Sequence, residues 1–212
     1  EVYTPEAIAR LRKDLRESAG TLSPQQIRYI VDTYYTVQEY RIKANNQVRA
    51  LTKNEEPTAL LSWIFDSISE LEKEIQKWML AYASSRSTGQ WALSVCGIGP
   101  VIAAGMLANL DVTRSTNIDK FWAFAGFDPT KTWNRGEKRP WNAQLKVLGY
   151  KAGESFVKVQ NRESDFYGKL FVQKKALYTQ RNMRGEYAER SKQILATKKF
   201  DKSTDAYTHY SN

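Results

Sequence analysis

The sequence of 212 residues has one cysteine, one histidine and no long apolar run. The single Cys96 excludes an internal disulfide and a cysteine-cluster metal site, and it is typical of a reducing compartment. The single histidine, His209 near the end of the sequence, argues against a zinc site or a histidine-based catalytic triad. No segment approaches the roughly 20 apolar residues of a membrane-spanning helix. We therefore expect no metal, no cofactor and no membrane association.

Positive charge is unevenly distributed along the chain, which has a net charge of +9. Residues 1–130 contain 14 Lys and Arg against 15 Asp and Glu, whereas residues 131–200 contain 17 against 6. A block of one sign is typical of a surface that faces a nucleic acid, because phosphates attract Lys and Arg. A solvated helical surface also carries charge, but usually with both signs interspersed. The charge pattern therefore favours nucleic acid as a partner.

Residues 93–110 contain the most informative pattern, which is an apolar helix, a tight turn and a second apolar helix. Gly97 and Gly99 flank a single apolar residue, so the backbone can turn sharply where a side chain would obstruct it. Pro100 suits the first turn of the second helix, where its missing N–H group is not needed. The pattern fits a phosphate-binding turn, and it also fits a glycine turn inside a helical core that binds nothing.

This pattern resembles the helix-hairpin-helix module of DNA-binding proteins. In such a turn the free N–H groups at a helix N-terminus, together with the positive end of the helix dipole, attract a phosphate oxygen. The resemblance implies a contact between a nucleic-acid backbone and three residues, which are Gly97, Ile98 and Gly99.

The first 84 residues have the apolar spacing of helices. We expect an N-terminal helix within residues 1–22 and, across residues 23–84, two long helices that form an antiparallel hairpin, or coiled coil. Ser23 followed by Pro24 predicts the start of the first long helix. The second has a seam of apolar residues at alternating spacings of three and four, which are Leu61, Ile64, Ile68, Leu71, Ile75 and Trp78. This seam either packs on the rest of the chain or, as the wide apolar surface favours, joins two copies in a homodimer.

Small polar residues in Ser84–Gly89 predict a linker between two units. We expect residues 88–200 to form a helix-hairpin-helix domain and residues 201–212, which have no packing signal, to form a polar tail. No part of the chain has the alternating apolar pattern of paired strands. The predicted fold class is therefore all-α, with a long antiparallel helical hairpin followed by a helical domain.

Two further helices are expected around a loop in this second domain. The first begins after Thr116 or Asn117 and ends at Gly126, and its aromatic residues are expected in the core, namely Phe121, Trp122 and Phe124. The second covers about residues 142–159, where glycines interrupt the helical pattern and predict two short helices.

The segment between these helices, Pro129–Trp141, combines cations, two tryptophans and turn residues, and it predicts a loop or a short hairpin. Lys and Arg can neutralise phosphates, and a tryptophan can stack on a base. One of the two tryptophans, Trp133 or Trp141, is expected to be a core plug beneath the loop. The nucleic-acid contacts expected here and on the next helix are Lys131, Trp133, Arg135, Lys138, Arg139, Lys146 and Lys151.

In this order, residues 57–199 resemble the C-terminal half of the IS110-type transposases. Four elements match the family in order and spacing, and they are Cys96–Pro100, Phe124–Pro129, Lys131–Arg139 and Lys146–Gly149. In that family a coiled coil leads into a transposase domain. The resemblance implies DNA handling, a mobile-element or phage origin and a bacterial cytoplasmic location, and no secretory signal is visible in the sequence.

Two features of the family are missing from this sequence. Residues 1–56 have no resemblance to its N-terminal RuvC-like nuclease domain, which carries four acidic catalytic residues. The loop from Thr130 to Arg139 has no serine, whereas the family places a nucleophilic serine there. Thr132 is a poor substitute, because its extra methyl group hinders attack on a phosphodiester.

We therefore expect a non-catalytic homodimer that binds the backbone of nucleic acid, DNA rather than RNA. Two alternatives stay open, which are a fragment or subunit of a recombinase that performs strand transfer, and an RNA-binding or coiled-coil scaffold protein. The start at Glu1 leaves a processed or shortened chain open. Three acidic residues of the second domain, Asp111, Asp119 and Asp128, lack the spacing of a metal pair, and Asp111 and Asp128 are expected to be helix caps.

Overall fold

The computed structural model describes residues 6–111, 113, 117–198 and 200–211, with side chains from residue 12 onward. These ranges contain helices, turns and loops but no strand, so the predicted all-α fold class is confirmed. The helices found in them are α1 (Glu6–Ala19), α2 (Pro24–Lys53), α3 (Ala59–Ser84), α4 (Ser87–Ser94), α5 (Pro100–Asn109), α6 (Ile118–Ala125), α7 (Ala143–Lys158), α8 (Tyr167–Met183), α9 (Ala188–Thr197) and α10 (Asp205–Ser211). The chain divides into two compact units, Glu1–Phe156 and Val157–Asn212.

The division predicted at Ser84–Gly89 is wrong. Helix α4 begins inside that stretch, and a single core contains residues from α2, α3 and α5. The small residues that predicted a linker instead permit close packing, since a Cβ atom added to Gly89 would lie 2.0 Å from the carbonyl oxygen of Ala83. The predicted domains 23–84 and 88–200 therefore do not correspond to the two units.

Helix α2 begins with reciprocal hydrogen bonds at Ser23. The Ser23 hydroxyl accepts from the backbone N–H of Gln26, and Oε1 of Gln26 accepts from the backbone N–H of Ser23. Pro24 occupies the first turn. This capping box gives partners to N–H groups that have none within the helix. The start predicted at Ser23 and Pro24 is confirmed.

Helices α2 and α3 lie side by side in opposite directions. The side-chain amide of Gln76 donates a 2.8 Å hydrogen bond to the Tyr34 hydroxyl, and Arg41 donates to the Glu72 carboxylate. Later residues of α2 thus meet earlier residues of α3. Glu72 is only 6% exposed, so the charge of Arg41 compensates a carboxylate that would be costly to bury alone.

Helix α5 packs against this pair through small side chains. Ala104 is fully buried and Ala108 is 5% exposed, and both belong to the core cluster of α2 and α3. Alanine lets helices approach closely and leaves room for the large side chains of this cluster, which are Ile27, Val31, Tyr34, Ile75, Met79 and Tyr82. Full burial of an Ile or Met side chain contributes about 1.5–3 kcal/mol. Helix α5 therefore completes the α2–α3 core through Ala104 and Ala108.

The seam predicted to form a homodimer is partly used within the chain. Ile75 is 2% exposed and lies in this core, and Trp78 packs against it. These two residues are thus core residues, because α2 and α5 pack on the C-terminal half of α3. The remaining members of the seam are half-buried or, for the last one, 47% exposed, and they are Leu61, Ile64, Ile68 and Leu71.

A buried carboxylate ties α1 to α3. Glu74, which is 6% exposed, accepts two hydrogen bonds from Nη2 of Arg16, each of 2.8 Å, and one of 2.7 Å from Lys77. Burial raises the pKa of Glu74, but the hydrogen bonds from Lys77 and Arg16 outweigh it and hold the pKa below its ordinary value. The ionised form of Glu74 is therefore part of the folded state.

In the second unit, α8 has a buried polar anchor. The Asp165 residue is 3% exposed, and its carboxylate accepts hydrogen bonds from the backbone N–H groups of Gly168 (3.1 Å) and Lys169 (3.0 Å). These bonds cap the first turn of the helix. Residues 169–180 are all exposed. Helix α8 therefore leaves most of its surface uncovered within this unit.

The polar tail predicted for residues 201–212 is wrong for the part that the structure describes. Helix α10 lies in that segment, and Tyr210 stacks on Phe200 with 5.8 Å between the ring centroids. The Asp201 carboxylate accepts hydrogen bonds from the N–H and the hydroxyl of Ser203, which forms a turn before the helix. Two aromatic residues ten positions apart do not show helical periodicity, so this contact could not be predicted from the sequence.

We expect Glu74→Gln to lower the free energy of unfolding by about 1–3 kcal/mol at neutral pH, because Arg16 and Lys77 lose their ionic partner. The folded-state pKa of Glu74 is lowered. Its contribution is therefore complete above the unfolded pKa of about 4.3 and is lost as the pH falls through the lower folded pKa.

Urea denaturation of both proteins from neutral pH down to about pH 3 measures this difference, which should shrink towards zero at the acid end. Glu70→Gln is the control, because Glu70 pairs with Lys73 on the surface and such pairs contribute little. A Glu74→Gln difference that stays constant across this range contradicts the ion-pair account.

Candidate nucleic-acid interface

The turn between α4 and α5 contains one glycine that its backbone requires. Gly97 has a φ of +95°, a left-handed conformation that disfavours a side chain. Its carbonyl oxygen accepts a 2.6 Å hydrogen bond from the Ser155 hydroxyl of α7. Gly99 has a φ of −93°, and a Cβ atom added there would meet no atom within 4 Å. The expectation that a side chain obstructs the turn therefore holds at Gly97 and is wrong at Gly99.

The side chain of Ile98 packs against the protein interior rather than facing a ligand. It lies on a small cluster from α3, α4 and α5, formed by Ala83, Ala92 and Ala103. Because Pro100 has no N–H group, the first-turn donors of α5 that lack a helical partner are those of Val101 and Ile102. The turn can therefore offer a phosphate its backbone groups but not the Ile98 side chain.

The loop that follows α6 is non-helical, as predicted, and is closed by hydrogen bonds within itself. Nε1 of Trp133 donates a 2.7 Å bond to the Glu137 carbonyl oxygen, and the Glu137 carboxylate accepts from the backbone and side-chain N–H groups of Asn134. Gly136 has a φ of +95°, which permits the turn between them. Residues 131–140 are all exposed, so the loop presents its cations on a closed turn.

The two tryptophans of this loop have different environments. Trp141 is half-buried, and its ring packs so closely on Gly126 that an added Cβ atom would lie 2.8 Å from it. Nζ of Lys146 lies 4.5 Å from the centroid of the same ring. Trp133 is 36% exposed, and the guanidinium of Arg139 lies 4.6 Å from its ring centroid. Trp141 is the half-buried member of the pair and packs on Gly126, and Trp133 stays at the surface beside a cation.

Glycines of α5 and α7 allow neighbouring elements to pack closely around α7. A Cβ atom added to Gly149 of α7 would lie 2.5 Å from the Phe127 ring, and one added to Gly105 of α5 would lie 2.8 Å from Leu148 of α7. Helix α7 continues through Gly149, so the two short helices predicted here are wrong. The glycine is explained by close packing and not by a helix end.

Helix α6 has the ends that the sequence predicts, with Asn117 as its cap. Oδ1 of Asn117 accepts a 3.1 Å hydrogen bond from the N–H of Asp119, and Gly126 ends the helix with a φ of +75°. Its aromatic residues do not all face the core, since Trp122 is 56% exposed and Phe124 is 46% exposed. The core prediction is wrong for these two, because α6 is buried through its small residue Ala125, while Phe121 is half-buried.

Asn142 connects three helices at the C-terminal end of the loop. Its backbone N–H donates a 2.8 Å bond to the Phe124 carbonyl oxygen of α6, and its Nδ2 donates to Oδ1 of Asn109 of α5 (3.1 Å). Its own Oδ1 accepts from the N–H of Leu145 (3.1 Å) and so caps α7. The position of the loop is therefore set by the core helices.

The loop and the glycine turn contact opposite ends of α7. Asn142 precedes the helix and Ser155 lies in its last turn, and at 1.5 Å per residue this separation is about 20 Å along the axis. The predicted residues therefore form two groups, the turn with Gly97, Ile98 and Gly99, and the loop with Lys131, Trp133, Arg135, Lys138, Arg139 and, beside Trp141, Lys146.

Lys151 belongs to neither group. Its Nζ lies 3.1 Å from the centroid of the Tyr35 ring of α2, an arrangement in which the cation is attracted by the ring. Burial lowers the pKa of Lys151, with Glu154 acting in the opposite direction, and burial raises the pKa of Tyr35 to about 12. The charge of Lys151 is thus used within the first unit, where it stabilises the contact between α2 and α7.

The acidic residues of this region form local turns. The carboxylates of Asp111 and Asp128 each accept hydrogen bonds from the N–H and hydroxyl of the threonine two residues later, Thr113 and Thr130. Asp128 is a turn residue, so the helix cap predicted for it is wrong. At Asp111 the hydrogen bonds come from Thr113, whose backbone is 3₁₀-helical, and the rest of that segment lies outside the described residues. The bonds from Thr130 hold the pKa of Asp128 below its ordinary value. Within the described ranges, no group of three or more His, Cys, Asp or Glu side chains could hold a metal ion.

The length and hydropathy of a helix decide whether it can span a membrane. None of the helices in the described part of the chain is long and apolar enough to cross a membrane.

Comparison with family models, with curated proteins and with solved structures finds no match to this chain. The geometry of its own residues is therefore what supports a function.

Proposed function

We propose that this protein binds nucleic acid, double-stranded DNA in preference to RNA, through contacts with phosphates and without acting on it as an enzyme. The observation that carries the proposal is the closed, exposed loop with its four cations, Lys131, Arg135, Lys138 and Arg139. Its one acidic side chain, Glu137, accepts hydrogen bonds from Asn134 and helps to close the turn. The backbone of an ordered turn loses little conformational freedom when its cations bind phosphates.

The glycine turn supplies a second contact in this proposal. The space above Gly99 is open, so a phosphate can approach the N–H groups at the start of α5, where the helix dipole favours negative charge. The points at which the turn and the loop contact α7 are about 20 Å apart along its axis, which is roughly six steps of 3.4 Å along one DNA strand. A single duplex is long enough to contact both groups.

The proposed role is non-catalytic and related to the C-terminal domain of the IS110-type transposases. The ordered sequence elements support the relation, and the absence of serine from residues 130–139 argues against strand transfer by this chain. The Asp111 and Asp128 carboxylates each accept a hydrogen bond from a neighbouring threonine hydroxyl. Contacts with phosphates position a protein without reading bases, so we expect little sequence preference.

We expect the triple variant Arg135→Gln/Lys138→Gln/Arg139→Gln to bind a 20-base-pair duplex at least about tenfold more weakly at low salt, because up to three phosphate contacts are lost. Fluorescence anisotropy across a salt series measures this. The plot of log affinity against log salt should become shallower by about 2–3. The control Lys13→Gln/Lys73→Gln/Lys192→Gln removes the same charge from side chains that are 75%, 63% and 73% exposed on other helices.

The same titration includes Gly99→Val. We expect this variant to fold, because the space around an added Cβ atom at Gly99 is open and the φ angle of Gly99 is one that other residues adopt. It should weaken duplex binding while circular dichroism shows unchanged helix content, because its side chain blocks close approach to the α5 backbone. Equal losses in the two triple variants would reduce the effect to net charge and contradict the proposal. Duplex binding that does not depend on salt would contradict it as well.

We also propose that two copies associate through the far part of the α2–α3 pair. Residues 35–71 are all described and none of them is buried, and on α3 the exposed fractions are 71% for Leu60 and 67% for Trp63. Residues 35–53 contain four Lys or Arg and one Glu, whereas residues 59–71 contain two acidic residues and no cation. Residues 35–53 of one copy are therefore complementary in charge to residues 59–71 of another. In a two-fold interface each copy presents the same surface, so this contact can form twice.

We expect wild-type protein at about 100 μM to have twice the chain mass of 24.4 kDa in light scattering coupled to gel filtration. A specific dimer forms when the protein concentration is well above its dissociation constant. Leu60→Glu/Trp63→Glu should give the single mass, since two charges would enter the interface. Tyr29→Glu, at a position 74% exposed on the near part of α2, should not. A wild-type protein with the single mass contradicts the dimer.

A further inference from the structure

A groove of about 890 Å³ lies in the first unit between α2, α4, α5 and α6. It has no part in the phosphate contacts of the loop and the glycine turn. Its size is within the 300–1,000 Å³ that is usual for sites of small ligands. The side chains that give it chemical character are Arg28, Arg86, Trp91, Lys120, Phe121 and Phe124.

Exposed aromatic rings form part of the groove wall. Trp91 of α4 is 65% exposed and Phe124 of α6 is 46% exposed, and half-buried Phe121 lies in the same wall. Rings of this size normally bury their faces in a core or an interface. Because these rings line a concave surface and are partly exposed, a planar group that enters the groove can stack on them.

Positive charge exceeds negative charge along the groove. The lining contains Arg28, Arg86 and Lys120 against the single carboxylate of Asp111, which accepts hydrogen bonds from Thr113. The guanidinium of Arg86 is fixed in place, because it donates to the carbonyl oxygens of α3 and of the turn before α2, those of Tyr82, Gly20 and Leu22. These acceptors are neutral, so they hold the guanidinium without neutralising its charge.

We propose that this groove binds an unstacked nucleotide of the nucleic acid, with its base against Trp91 and its phosphate attracted by Arg28 and Lys120. The inference rests on the proposed function and extends it to a preference for DNA with a single-stranded part. A base inside a duplex hides both faces from a protein ring, whereas an unpaired base exposes them. The combination of aromatic faces and cations is what such a nucleotide requires.

Anisotropy titrations with two probes test the groove. One probe is a blunt 20-base-pair duplex, and the other is the same duplex with a six-nucleotide thymidine overhang. We expect the overhang to tighten binding by about tenfold, the size of one base–aromatic stack. Trp91→Ala should remove that gain and leave the affinity for the blunt duplex unchanged, and Trp91→Phe should restore most of it.

Trp122→Ala is the matched control, since Trp122 is 56% exposed on α6 but does not line the groove. It should keep the gain from the overhang. Lys120→Gln should reduce the gain, and Lys13→Gln, on a side chain of α1 that is 75% exposed, should not. No gain in the wild-type protein, or equal losses in Trp91→Ala and Trp122→Ala, overturns the groove proposal.

Two further outcomes separate the groove from the proposed duplex binding. If the blunt duplex does not bind but the overhang probe binds in a Trp91-dependent way, the duplex proposal fails and the groove proposal stands. A hexathymidine strand should compete for the overhang gain better than a glutamate peptide of the same charge. Equal competition by the peptide overturns the role of the base.

Discussion

The close packing of α5 is the constraint on which the first unit depends. Ala104 and Ala108 pack in the α2–α3 core, Ala103 belongs to the cluster of α3 and α4, and Gly105 faces Leu148 of α7. A helix with larger side chains at these positions could not approach several neighbours at once. The glycine turn precedes this helix and Asn109 at its end holds Asn142, so both candidate contacts are positioned from α5.

Local signals in the sequence predicted local structure well. The fold class, the start of α2 at Ser23 and the ends of α6 at Asn117 and Gly126 all follow from capping and turn chemistry that a few neighbouring residues determine. Contacts between distant residues could not be predicted in this way. Gly89 was part of a predicted linker because composition does not show that Ala83 packs against it.

In the candidate site, too, the features formed by neighbouring residues could be predicted and the contacts between distant residues could not. The exposed, cationic loop could be predicted because its residues are consecutive, whereas the position of Lys151 over Tyr35 could not. The groove gave no motif, since Arg28, Trp91 and Lys120 come from three separate helices. The second unit has 12 Lys and Arg against 6 Asp and Glu, so the basic block of the sequence extends over both units.

Ultraviolet cross-linking of a bound 20-base-pair duplex, followed by mass spectrometry of the peptides, tests most directly whether the cationic loop is the nucleic-acid interface. We predict cross-linked peptides that contain residues 131–139, with Trp133 as a reactive ring at the surface. Cross-links confined to residues 157–212 or to the α2–α3 pair, with none in the loop, would contradict it.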